Sequence, residues 1–100
     1  MRNDTEKKEN KSIEKMAIEK YGKELQTVVA IEELSELIKE LTKNIRGKNN
    51  HDAIVEEIAD VYIMLDQVMM MNDISLNEVV EKMNEKLNRL KERMNADDSQ

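Results

Sequence analysis

Two acidic segments of this sequence have the residue types and spacing to do chemistry together: Glu32-Glu33-Leu34-Ser35-Glu36 and Glu56-Glu57-Ile58-Ala59-Asp60. On a helix each sets two carboxylates three residues apart, Glu33 with Glu36 and Glu57 with Asp60, on neighbouring turns of one face. Carboxylate ligands suit a hard divalent cation, magnesium or manganese, since Cys is absent and the single histidine, His51, sits in a loop region. A cation held in that way binds phosphates, polarises a phosphoryl group and activates water. Spacing alone is weak warrant. Acids occupy 22 of 100 positions, so chance supplies several such pairs.

The elements that must position these acids are helical. Apolar residues make up 39% and charged residues 38%; Pro is absent, Gly22 and Gly47 are the only glycines, and Tyr21 and Tyr62 the only aromatics. That profile suits long helices and disfavours an all-β fold. One hundred residues allow a single small domain, with pairing or oligomerisation supplementing a thin core. Residues 1–11 are polar without period and read as a disordered tail, as do residues 95–100, leaving a domain over 12–94. Ser12 is placed to cap a short first helix that stops near Gly22. A second helix follows from about Lys23 to Ile45, with an apolar stripe at Ile31, Leu34, Ile38, Leu41 and Ile45. Arg46-Gly47-Lys48-Asn49-Asn50 is a loop, and Asp52 is placed to cap a third helix reaching about Met71. Ser75 and Glu78 match a capping box for a fourth helix over 76–94. Its positions Leu76, Val80, Met83, Leu87, Leu90 and Met94 alternate four and three, as in a coiled-coil seam. The expected fold is all-α, an antiparallel bundle of about four helices completed by oligomerisation.

A formal charge of −6 argues against nucleic acid as a partner. No apolar run reaches membrane-spanning length, the N-terminus lacks the apolar core of a signal peptide, and Cys is absent. A cytoplasmic protein with no membrane partner is expected.

Helical-wheel placement strengthens the acidic pairs. Ile54, Ile58, Val61, Leu65, Val68 and Met69 define an apolar arc on the third helix. Glu57 falls inside its margin and Asp60 just outside, whereas Glu56 and Asp66 point away. A carboxylate facing a helical interface is costly unless paired or metal-bound. With the helices antiparallel and a rise of 1.5 Å per residue, Glu36 lies about 13 Å from the loop end and Asp60 about 12 Å. On the same basis Glu57 lies about 8 Å and Glu33 about 18 Å from that end. Glu36 and Asp60 are therefore expected to face each other, with the other two a turn away on either side.

At these residues the sequence resembles the MazG-type, all-α nucleoside triphosphate pyrophosphohydrolases. Their Glu-Glu-x-x-Glu segment, spacer and Glu-Glu-x-x-Asp segment match Glu32, Glu33 and Glu36, then Glu56, Glu57 and Asp60. The similarity runs from about Ile18 to Met94 and includes the Gly22 break, the Arg46-Gly47-Lys48 loop and Lys86-Leu87. The resemblance implies magnesium-dependent cleavage between the α and β phosphates of a nucleoside triphosphate, with metal on Glu33, Glu36, Glu57 and Asp60. It also implies that one carboxylate orients the attacking water, here Glu36 on its expected level with Asp60. It implies a homodimer or homotetramer whose sites are partly built across subunits. A Lys-Asn pair belongs on the last helix, where Asn84 and Asn88 both flank Lys86.

Further residues have two readings each. Lys82, Lys86, Arg89 and Arg93 flank the fourth-helix seam and are placed either to hold phosphate, Lys86 and Arg89 above all, or to form helical pairs such as Glu78–Lys82 and Glu85–Arg89. Arg46 and Lys48 read as solvated loop charges ahead of phosphate contacts, His51 as a helix-start residue ahead of a ligand, and Tyr62 as core ahead of a ring that stacks on a base. Met64 and Met69-Met70-Met71 read as adaptable packing. Two rival functions fit parts of the pattern: an acidic helical adaptor that pairs through its seams, and a nucleotide-binding regulator without turnover. Neither the adaptor's charges nor its seams explain an inward Glu57.

Overall fold

Local signals decide where the helices begin and end. The computed structural model describes residues 3–98, which form α1 (Asp4–Tyr21), α2 (Lys23–Ile45), α3 (His51–Met71) and α4 (Leu76–Asp98). Asn3 caps α1, its side-chain oxygen accepting from the Glu6 amide at 2.8 Å, with Asp4 and Glu6 favourably placed in the first turn. The first helix thus starts eight residues before Ser12, and residues 4–11 are helical, not a tail. Their Glu and Lys content favours a helix even though it carries no apolar period. The last helix likewise continues past Met94 to Asp98; residues 1–2 and 99–100 of the expected tails lie outside the described residues.

Gly22 alone joins α1 to α2. Its φ of 87° and ψ of 160° suit glycine, and its amide donates to the Ile18 carbonyl at 2.8 Å. Gly47, at φ 94°, closes α2 in the same spirit: the Lys48 amide reaches back to the Lys43 carbonyl at 3.1 Å, as in a Schellman motif. Asp73 takes the equivalent left-handed place after α3, with the Ile74 amide on the Met69 carbonyl at 2.9 Å. Ser75 and Glu78 form the expected reciprocal capping box before α4, at 2.7 and 3.2 Å.

The fold is an all-α helical bundle. α2 and α3 form an antiparallel hairpin, α1 lies against both, and α4 leaves this body with none of its described residues buried. The buried apolar core is small: Ala30, Val61 and Met64. Beside it the Gln26 amide donates to the Gln67 carbonyl oxygen at 2.8 Å, both side chains buried, and Gln67 also contacts the Met64 sulfur.

The apolar stripe of α2 is not what faces α3. Ile31, Leu34, Ile38, Leu41 and Ile45 are all exposed, Ile45 to 86%. The more protected line is Gln26, Ala30, Glu33, Leu37 and Glu40, a four-three seam in which every seventh residue is polar. Ile58, Tyr62 and Leu65 of α3 and the whole α4 seam are exposed as well, so Tyr62 is not a core residue. No described helix is long and apolar enough to cross a membrane.

Candidate metal and active site

The α2–α3 seam delivers acids to one layer. Seven residues beyond Gln26 on α2 stands Glu33; seven residues before Gln67 on α3 stands Asp60. The register that pairs the two glutamines therefore pairs Glu33 with Asp60, and these two carboxylates lie side by side. Glu57, one turn away on α3, joins them, and one oxygen from each of Glu33, Glu57 and Asp60 lies within 4.8 Å of the others. Glu33 and Glu57 are half-buried and Asp60 is exposed.

Burial and crowding act on these groups in the same direction. Glu57 is held above the ordinary carboxylate value of 4.5, first by desolvation, then by the charges of Asp60, Glu36, Glu40 and Glu56. Glu33 is raised too, first by desolvation, then by the Asp60 carboxyl beside it and by the charges of Glu57 and Glu36. The charged neighbours that press on both are acids. Glu57 Oε2 is buried and accepts no hydrogen bond, a costly state for an anionic oxygen. Three converging carboxylates, one of them carrying an orphaned oxygen, match the hard donor set a divalent cation takes.

Glu36 stands differently from its expected place. It lies outside the tight group, about half exposed, with Oε1 3.6 Å from the Lys39 ammonium, yet close enough for its charge to act on Glu33 and Glu57. The expected Glu36–Asp60 level is off by three residues, and Glu33 takes that position. In the loop between the helices, Asn50 folds back along α2. Asn50 Nδ2 donates to both the backbone carbonyl and Oε1 of Glu40, each at 2.9 Å, while Asn44 Nδ2 donates to Asn50 Oδ1 at 3.3 Å. Asn50, not Asp52, occupies the N-cap position of α3.

Glu40 and Asn50 are residues that the two acidic segments do not reveal. Lys43 holds Glu40 Oε2 at 2.9 Å, and with Asn50 it keeps that carboxylate below the usual range. The signal available in the sequence was the heptad spacing of Gln26, Glu33 and Glu40, three polar residues on one side of α2.

The basic candidates are not brought to the acids within the chain. Lys86 and Arg89 lie exposed on α4, away from the three-helix body. Lys82 pairs with Glu85 at 2.9 Å, in place of the expected Glu78–Lys82 and Glu85–Arg89 pairs, because Glu78 is engaged in the capping box. Arg46, Lys48 and His51 are exposed, His51 at the start of α3.

No curated protein and no solved structure matches the chain. The family model of the MazG nucleotide pyrophosphohydrolase domain matches residues 21–94, a stretch that holds α2, the clamped loop, α3 with both acidic segments, and most of α4. On that match the chain belongs to the MazG nucleotide pyrophosphohydrolase family.

Proposed function

We propose that the protein hydrolyses a nucleoside triphosphate to the monophosphate and pyrophosphate, with magnesium held by Glu33, Glu57 and Asp60 and with Glu36 at the edge of that group. The observation that carries this reading is the orphaned, buried Glu57 oxygen beside two further carboxylates in a chain of this family. Magnesium, or manganese in its place, supplies the positive charge that draws in the phosphates and polarises the phosphoryl group. Glu33 and Asp60, already near each other across the hairpin, present their oxygens from two different helices, so the packed seam holds the site in shape. Glu36 is more exposed and less crowded, which suits a carboxylate that accepts a proton from water as the bond between the α and β phosphates breaks.

The same reading needs a second copy of the chain. The exposed seam of α4 and the uncovered stripe of α2 both repeat at four-three spacing, each on a 23-residue helix. Pairing them between copies buries both, giving a homodimer or homotetramer, and carries Lys86 and Arg89 towards a site whose nearest cation, Lys39, is engaged with Glu36. Substrates in keeping with the family are deoxynucleotides such as dUTP or dCTP, or non-standard triphosphates. The setting is cytoplasmic, in keeping with a cysteine-free chain.

The test is pyrophosphate release from a panel of canonical and non-standard triphosphates, with and without magnesium. Release that requires the metal and disappears in Glu57→Gln supports the proposal. Folded protein that binds nucleotides without turnover supports a regulator, and protein that does neither supports an acidic adaptor.

A further inference from the structure

An antiparallel hairpin can pair its two helices in more than one register. The loop here is centred on Lys48, and Glu36 and Asp60 each stand twelve residues from it, so a symmetric hairpin sets those two level. The structure instead pairs Asp60 with Glu33. The two arrangements differ by three residues of one helix, an axial slip of about 4.5 Å. Because Glu33 and Glu36 are both acids, either register leaves a carboxylate near Asp60. Something other than residue type must select between them.

Asn50 has the contacts to do so. It is 8% exposed, and its side chain forgoes the local role of an N-cap residue, making no bond to the amides of its own helix. Its hydrogen bonds run to α2 instead: both amide protons go to Glu40, one to the backbone and one to the carboxylate, and its oxygen accepts from Asn44. A backbone carbonyl as partner is what fixes register, since it cannot swing to follow a slipped helix as a side chain can. Seven residues from Glu33 in the other direction, Gln26 bonds Gln67, so the acid layer is bracketed by two amide contacts, one buried and one part-buried. Glu40 itself is not free to bind a cation, for Asn50 and Lys43 occupy its two oxygens.

We infer that Asn50 is a positioning residue that locks the α2–α3 register with Glu33, rather than Glu36, opposite Asp60, and so sets the geometry of the cation site. This deepens the proposed metal reading and rests on it for its functional consequence.

The experiment separates register from metal binding. The chain has no cysteine, so paired cysteines report register cleanly. The oxidation rate of the full-length Glu33→Cys/Asp60→Cys protein is compared with that of Glu36→Cys/Asp60→Cys, each with and without Asn50→Ala. Mn2+ affinity is measured in parallel on the cysteine-free proteins. The expected result is that the 33–60 pair oxidises faster in the parent, that Asn50→Ala shrinks this preference at least about fivefold, and that Mn2+ affinity falls about tenfold, within the range for outer-shell groups. A second variant guards against simple unfolding. Glu40→Gln, which keeps a side-chain oxygen and the backbone carbonyl for Asn50, retains the 33–60 preference despite its lower stability, and a preference lost there as fully as in Asn50→Ala overturns the inference. An unchanged cysteine preference in Asn50→Ala overturns the inference. A shifted preference in a protein whose parent binds no Mn2+ leaves the register lock standing and removes the metal reading instead.

Discussion

Glu33 and Asp60 meet across the hairpin with carboxylate oxygens within 4.8 Å of each other, and Glu57, whose Oε2 is orphaned, joins the same cluster. Acids crowded in this way favour a shared proton or a bound cation.

Magnesium or manganese at about 100 times its dissociation constant is expected to stabilise the protein by about 2.7 kcal/mol. In a domain this small, that raises the melting temperature by on the order of 10 °C. Glu57→Gln abolishes the rise. Calorimetry with and without the ion checks this, and equal rises in the two proteins would remove Glu57 from the site.

Stability without metal should depend on pH with opposite signs at two glutamates. Glu57 is raised above its ordinary 4.5, so the folded state holds more protons than the unfolded one, and stability falls as pH rises through the raised value. Metal-free Glu57→Gln is therefore more stable than the parent at pH 7, a gap that closes below pH 4.5. Glu40 is lowered by Asn50 and Lys43, so its contribution is present above 4.5 and lost on acidification. Glu40→Gln is accordingly less stable than the parent at pH 7 and converges with it in acid. Urea titrations at stepped pH read both, and gaps that do not vary with pH contradict the assignment.

Glu36 and Glu33 should separate kinetically. Glu36→Gln is expected to lower kcat by about 10²–10⁴ while cation affinity stays near the parent's, as for a group that handles the water. Glu33→Gln weakens cation binding first. If both variants lose affinity equally, Glu36 is a ligand like the others.

The buried glutamines make a different kind of prediction. Gln67→Leu strands the Gln26 amide and should cost about 1–3 kcal/mol, whereas Gln26→Leu/Gln67→Leu is near neutral or stabilising. A double variant that is the sum of two losses would show that the amides do not act as a pair.

A charge in the α4 seam tests assembly. Leu87→Lys should yield a monomer in sedimentation, with pyrophosphate release reduced at least about tenfold if Lys86 and Arg89 serve a neighbouring copy. An active monomer would end that part of the proposal.

Much of this protein is legible along the chain. Helix boundaries at Gly22, Gly47 and Ser75–Glu78 follow from local backbone chemistry, which each residue carries with it wherever the helices pack. Glu57 as an inward acid is readable for a similar reason: α3 is apolar enough for a carboxylate on its arc to stand out. Which face of α2 meets α3 was not readable. That helix carries two adjacent four-three seams, and periodicity singles out the greasier one, Ile31 to Ile45, which the fold leaves exposed. The seam in use is polar at Gln26, Glu33 and Glu40, and its worth appears only when Gln67, Asp60 and Asn50 arrive from distant positions to satisfy it. Local sequence thus determined the helices and the acids they carry. Only the tertiary structure decided the register, because contacts between residues far apart in the chain set which acid stands opposite Asp60.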